Sequence, residues 1–141
     1  MFSTDHFHPM LVHFPVALIT IGFLADLISL IVKKEICFPK MSFYLLIIGT
    51  LGAMAAVLTG MFFTSEMTGA AGEAKENHEL MAYITLSVLV LTSILRIIQL
   101  KKSENKALKI LSFLFYAIAA ACVGLTGALG GTLVYNYMLP I

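Results

Sequence analysis

Four long runs of apolar residues alternate with short polar segments along the chain. Each run reaches the roughly 20 residues that an α-helix needs to cross about 30 Å of hydrocarbon. Lipid offers the backbone no hydrogen-bond partners, so a helix is the expected form of every run. The pattern predicts an all-α integral membrane four-helix bundle, a single domain over 1–141. Its helices are expected at about 9–32, 42–64, 79–100 and 107–136.

Composition agrees with a membrane protein. Hydrophobic residues make up 60% of the chain and charged residues only 12%, about half the proportion in a soluble domain, which is roughly 25%. The lipid bilayer is therefore the expected partner. The formal net charge of +1 provides no field that would attract nucleic acid. Cys37 and Cys122 form no CxxC pair and predict no redox or metal motif.

The charges are unevenly placed. Basic residues concentrate in "KKEICFPK", which joins the first two apolar runs, and in "KKSENK", which joins the last two. Loops rich in lysine face the cytoplasm in most membrane proteins. We therefore expect a multi-pass protein of the bacterial inner (cytoplasmic) membrane, with N- and C-termini on the outer, periplasmic side. This orientation puts every histidine on the outer side, namely His6, His8, His13 and His78.

The two halves of the sequence resemble each other weakly. A shift of 70 positions places His8 on His78 and Asp26 on Arg96, while "LTG" recurs at a shift of 67. These matches are compatible with two parallel two-helix repeats, in which His8 and His78 lie at one depth. Asp26 and Arg96 are expected either to form an ion pair or to reach the inner headgroups separately. Small residues also form a stripe on the second and fourth runs, which suits close helix packing or a flat cofactor.

Histidines at the edge of transmembrane segments either anchor the chain at the headgroups or bind a ligand. Imidazoles contributed by the first and third helices could ligate haem iron inside a four-helix bundle. Zinc or copper is the alternative, with His8, His13 and His78 as ligands and Glu76 or Glu79 as a fourth. Five residues of helix turn through about 500°, so His8 and His13 share a face only if Pro15 distorts the helix.

The motif "HPMLVHFP", a histidine heading the third apolar run and "GGTLVY" near the end together resemble a bacterial membrane family known as domain of unknown function 2231. The resemblance covers nearly the whole chain and implies a four-helix membrane domain. It also implies a redox context, because some relatives are joined to iron–sulfur or cytochrome-type domains. The family's motif residues fall on His8, Pro9, His13, Pro15, Gly130, Gly131 and Tyr135. Relatives often carry a further histidine where this chain has Asn136 and Tyr137.

The sequence thus favours a protein that binds haem b near the outer face through His78 with His8 or His13, and that takes part in membrane electron transfer. It is expected to work beside a redox partner or within a larger membrane complex rather than as an enzyme on its own. The alternatives are a metal-binding or small-molecule-binding module without redox activity, or a structural accessory subunit of a membrane complex. A second copy of the chain, in a homodimer, is a further candidate partner. The role of His6 stays open.

Overall fold

The computed structural model describes residues 7–138, so His6 and Asp5 lie outside the described residues. Within that range the chain is helical and contains no strand, and four of its helical stretches are long and apolar enough to cross a membrane. The predicted all-α four-helix membrane architecture is confirmed. The helices are α1 Phe7–Leu11, α2 His13–Ile31, α3 Cys37–Phe63, α4 Gly69–Lys101 and α5 Lys106–Leu133, followed by a π-helical segment at Val134–Met138.

The first apolar run is divided into α1 and α2 by a single turn at Val12. Pro15 has no N–H to donate to the preceding turn, so the regular hydrogen-bond ladder cannot pass through this point. The backbone continues through Val12 N to His8 O at 3.1 Å and Val16 N to Val12 O at 3.4 Å. α1 therefore ends and α2 begins on either side of Val12, between the two histidines of the motif.

Two helices begin well before their apolar runs. α3 begins at Cys37 rather than near 42, and α4 begins at Gly69 rather than near 79. The polar segment before His78 is therefore helical as well. The prediction placed the start of α4 too late because hydropathy shows where a helix enters lipid, and a helix can continue beyond that point in water. α5 begins after Asn105, whose side chain accepts from Leu108 N at 3.0 Å and caps the helix.

α2 packs chiefly on α3 and α4 on α5, and the two hairpins join through α2 with α5 and α3 with α4. The burial pattern repeats from one hairpin to the other. Residues 11–20 and 81–90 share the same burial class at nine of ten positions. Fully buried Ile19 and Leu46 correspond to fully buried Leu89 and Tyr116 at an offset of 70. The two halves therefore occupy equivalent environments, as the weak sequence repeat predicted.

The same offset holds at both ends of the bundle. His8 approaches His78 at one end, and Asp26 pairs with Arg96 at the other. α1 and α2 together thus run parallel to α4, with equivalent positions close together at both ends. The shift of 67 that aligns the two "LTG" motifs is wrong as a structural alignment. Gly60 lies against His8 and Gly130 lies against His78, which again is an offset of 70.

Large apolar side chains cover the outside of the bundle, with Ile31 83% and Phe62 74% exposed. In water such a surface would be unfavourable, but in a bilayer it is the surface that contacts lipid. The core is small by comparison and includes several hydroxyl-bearing residues. Thr50 Oγ1 and Ser93 Oγ lie 2.9 Å apart, a hydrogen bond that ties the two hairpins together near the middle of the bundle.

Candidate cofactor site at the histidine end

The end of the bundle that carries His8 and His78 is called the histidine end here. The two imidazole rings lie with their centroids 6.2 Å apart and their planes at 74°. One ring comes from α1 and the other from α4, so the site is built by both halves of the molecule. The sequence-based prediction that His8 and His78 lie at one depth is therefore confirmed by their proximity.

Each of these imidazoles is held at one nitrogen by the helix that follows it in its own half. His8 Nδ1 donates to Ala56 O at 3.0 Å, and Thr59 Oγ1 is 3.2 Å from the same nitrogen. His78 Nδ1 donates to Thr126 O at 3.2 Å. Because a carbonyl oxygen can only accept, each ring carries a proton on Nδ1, which in the neutral imidazole leaves the Nε2 lone pair available.

Two glycines make room for the rings. A Cβ added at Gly60 would lie 3.1 Å from His8 Cε1, and one added at Gly130 would lie 3.0 Å from His78 Cε1. Any larger residue at Gly60 or Gly130 would push the imidazole away from the helix that carries the glycine. The sequence identified Gly130 only as part of the family motif, and it missed the function of Gly60 in this contact.

The imidazoles face a cavity of about 580 Å³ that opens at the histidine end. Its walls come from α1 to α5 and are mostly apolar. Added Cβ atoms at Gly124 and Gly131 would meet nothing within 4 Å, so these members of the α5 stripe border open space. Gly49 behaves differently, because an added Cβ there would lie 2.6 Å from Ile19 Cδ1. The α3 stripe therefore packs closely at Gly49, deeper in the bundle, and the α5 stripe leaves open space at this end.

His13 does not join the pair. Its ring is exposed, and its Nδ1 donates to Pro9 O at 2.7 Å, on the preceding helix α1. It lines the rim of the cavity, as do Glu79 and Tyr135, whereas Glu76 is exposed. Across residues 7–138 no group of three or more His, Cys, Asp or Glu side chains is close enough to hold a metal ion.

The opposite end carries the loops after α2 and α4 and is called the lysine end. There Arg96 forms an ion pair with Asp26, which also accepts from Ser42 Oγ at 3.1 Å. The Arg96 guanidinium lies 5.6 Å from the centre of the Tyr116 ring. Of the two alternatives considered for Asp26 and Arg96, the ion pair is the one observed.

Four long apolar helices and a lipid-compatible exterior define a multi-spanning membrane protein. The chain belongs to the family described as predicted membrane protein (DUF2231), whose family model matches residues 4–140. The resemblance drawn from the sequence motifs is thereby confirmed. No curated protein and no solved structure matches the chain.

Proposed function

We propose that the cavity at the histidine end binds haem b, with His8 and His78 as the two axial ligands. The observation that carries the proposal is the pair of inward-facing imidazoles, 6.2 Å between centroids, at the edge of a cavity shared by both halves. A metal bound between two imidazole nitrogens separates the ring centres by about 6 Å, given metal–nitrogen bonds of about 2.0–2.1 Å.

The donor chemistry of the two histidines fits this role. Histidines that ligate a metal usually donate their other ring N–H to a carbonyl or carboxylate, which fixes the tautomer and the ring orientation. Here Ala56 O and Thr126 O accept these bonds. Both Nε2 atoms are left as free bases, which is the state that haem iron requires of an imidazole ligand.

The size and chemistry of the cavity also fit. Sites for cofactors and drug-sized ligands typically enclose about 300–1,000 Å³ and are mostly apolar. The cavity of about 580 Å³ lies in the middle of that range. The open space beside Gly124 and Gly131 would admit a flat molecule between the helices, which residues with side chains at those positions would obstruct.

Haem iron held by His8 and His78 would supply one-electron transfer and would leave no coordination site for a substrate. The proposal therefore assigns the protein to membrane electron transfer, working beside a redox partner, and not to catalysis on its own. A single cofactor at one end serves a donor or acceptor on that same side of the membrane.

The test is an absorbance spectrum of the chain purified in detergent from cells supplied with haem precursors. We expect a Soret band, with a pyridine haemochrome corresponding to about one haem b per chain. His78→Ala and His8→Ala should each abolish the low-spin spectrum, because each removes an axial ligand. His13→Ala is the matched control and should retain it, since His13 binds Pro9 O instead of facing the pair.

A colourless, iron-free preparation that does not take up added haem would overturn the proposal. Elemental analysis decides what would replace it. Zinc or copper at about one per chain would assign the site to a plain metal ion, and a metal-free chain that purifies only with a larger complex would make it a structural subunit.

We further propose that the histidine end faces the periplasm of a bacterial inner membrane. The support is the charge distribution, with lysines concentrated in the loops at the other end. Cys37 is exposed at the lysine end and provides a native label there. In a Cys122→Ala background, a membrane-impermeant maleimide should label Cys37 in inside-out vesicles and leave it unlabelled in intact spheroplasts. The reverse result would invert the orientation.

A further inference from the structure

A lysine lies at the rim of the same cavity, at the end of the bundle opposite to the lysine end. Lys75 is the only lysine or arginine between Lys40 and Arg96 in the sequence. It lines the cavity with His78 and Glu79, and only 12% of its side chain is exposed. Among residues 7–138, the histidine end therefore combines an apolar cavity with one largely buried lysine side chain.

The carboxylates around Lys75 hold it only loosely. Its Nζ is 3.4 Å from Glu79 Oε1 and 3.9 Å from Glu66 Oε1. The Glu79 side chain is 44% exposed and that of Glu66 is 98% exposed, so water competes for both carboxylates. Ion pairs with this exposure contribute little to stability. The ammonium group can therefore exchange Glu79 for another anion without a large loss.

A charged group at an apolar cavity favours a particular kind of guest. An anion that leaves water for such a cavity needs a cationic partner, because an unpaired buried charge is strongly unfavourable. The porphyrin of haem b is apolar over most of its surface and carries two carboxylates on one edge. Its shape and charge thus match an apolar cavity with one cation at the rim.

We infer that Lys75 binds the carboxylate edge of the porphyrin. The porphyrin carboxylates then replace Glu79 as the ion-pair partner of the Lys75 ammonium group. This assignment rests on the proposed haem site and adds the orientation of the guest, with its carboxylates toward the start of α4. Glu79 then serves as the placeholder that keeps the ammonium group at the rim of the cavity while no guest is bound.

The experiment compares two probes that differ only in charge, iron protoporphyrin IX and its dimethyl ester, titrated into the purified full chain. The native chain should bind the diacid more tightly than the ester. Lys75→Met should weaken binding of the diacid at least tenfold and leave binding of the ester unchanged. Lys75→Arg should restore the preference, and Lys40→Met, at the lysine end, should have no effect on either probe.

The outcomes separate the two proposals. If Lys75→Met weakens both probes equally, or neither, the assignment of Lys75 is wrong while the histidine site stands. The same holds if the native chain binds both probes with equal affinity. If the native chain binds neither probe, or if His78→Ala binds both as well as the native chain does, the proposed function itself is overturned. Helical circular dichroism of each variant confirms that the fold is retained.

Discussion

The histidine end and the lysine end are built from equivalent positions of the two halves, yet they differ in character. At the first, identical residues meet across the bundle, His8 with His78. At the second, opposite charges meet, Asp26 with Arg96. Two imidazoles that both use Nδ1 to bond a backbone carbonyl present only acceptor nitrogens to each other and leave the site open, whereas opposite charges pair directly and hold the helices together. The same repeat thus supplies one open site and one clamp.

Packing follows the same division. Near the lysine end, Gly22 lies so close to the Tyr116 hydroxyl and Leu45 that an added Cβ would overlap them. At the histidine end, Gly60 and Gly130 support an imidazole, whereas Gly124 and Gly131 border open space. The comparison therefore predicts that substitutions at the lysine end act on stability, while those at the histidine end act on ligand binding.

The largest effect is expected for Arg96→Ala. This change leaves the buried Asp26 carboxylate without its charge partner, and loss of one member of a buried pair typically costs about 3–5 kcal/mol. Replacing both residues together, as Asp26→Leu with Arg96→Leu, should cost less than the single change because no charge is left unpaired. Unfolding in detergent followed by circular dichroism measures both. Equal stability of Arg96→Ala and the exposed control Lys109→Ala would contradict a clamp at this end.

A smaller effect, confined to ligand binding, is expected for Gly130→Ala. The added Cβ would lie 3.0 Å from His78 Cε1, which displaces the ring from the line between the two ligands. We expect haem affinity to fall about tenfold, equivalent to roughly 1.4 kcal/mol. Gly52→Ala is the matched control, since its Cβ would make only ordinary contacts, the nearest 3.5 Å from Pro15 Cδ, and Gly52 does not line the cavity. Haem titration distinguishes them, and identical affinities would show that the glycine contact does not position the imidazole.

The smallest effect is expected between the two ends, for Thr50→Val. The change removes the 2.9 Å hydrogen bond to Ser93 Oγ and keeps the shape of the side chain. Interhelical hydrogen bonds in membrane proteins are worth about 0.6 kcal/mol on average and up to roughly 1.7 kcal/mol. Unfolding in detergent should register a loss in that range, with haem binding unchanged. A larger loss than for Arg96→Ala would contradict the prediction that the ion pair between Asp26 and Arg96 stabilises the bundle more than this hydrogen bond does.

Part of this site could be predicted from the sequence. The shift of 70 that pairs His8 with His78 and Asp26 with Arg96 is written in the residues, and it identifies both meeting points. The sequence could not show whether His8 or His13 lies beside His78, because that depends on how each ring is oriented where α1 meets α2. Ala56 and Thr126 contribute only their backbone carbonyls to the histidines, which no pattern of side chains reveals.

The sequence alone determined the class of the protein. Long apolar runs must be helical in lipid, because the backbone finds no other hydrogen-bond partner there. Only the tertiary structure decided which faces look inward. Ile31 is exposed on the lipid-facing surface and Ile19 is fully buried, yet both are isoleucine. Lipid hydrocarbon and protein core are equally favourable surroundings for an apolar side chain, so residue type does not show which side faces inward. Because the sequence does not distinguish inward from outward positions, only the packing of the helices decides the pairing of the imidazoles, the open space beside the glycines and the position of Lys75.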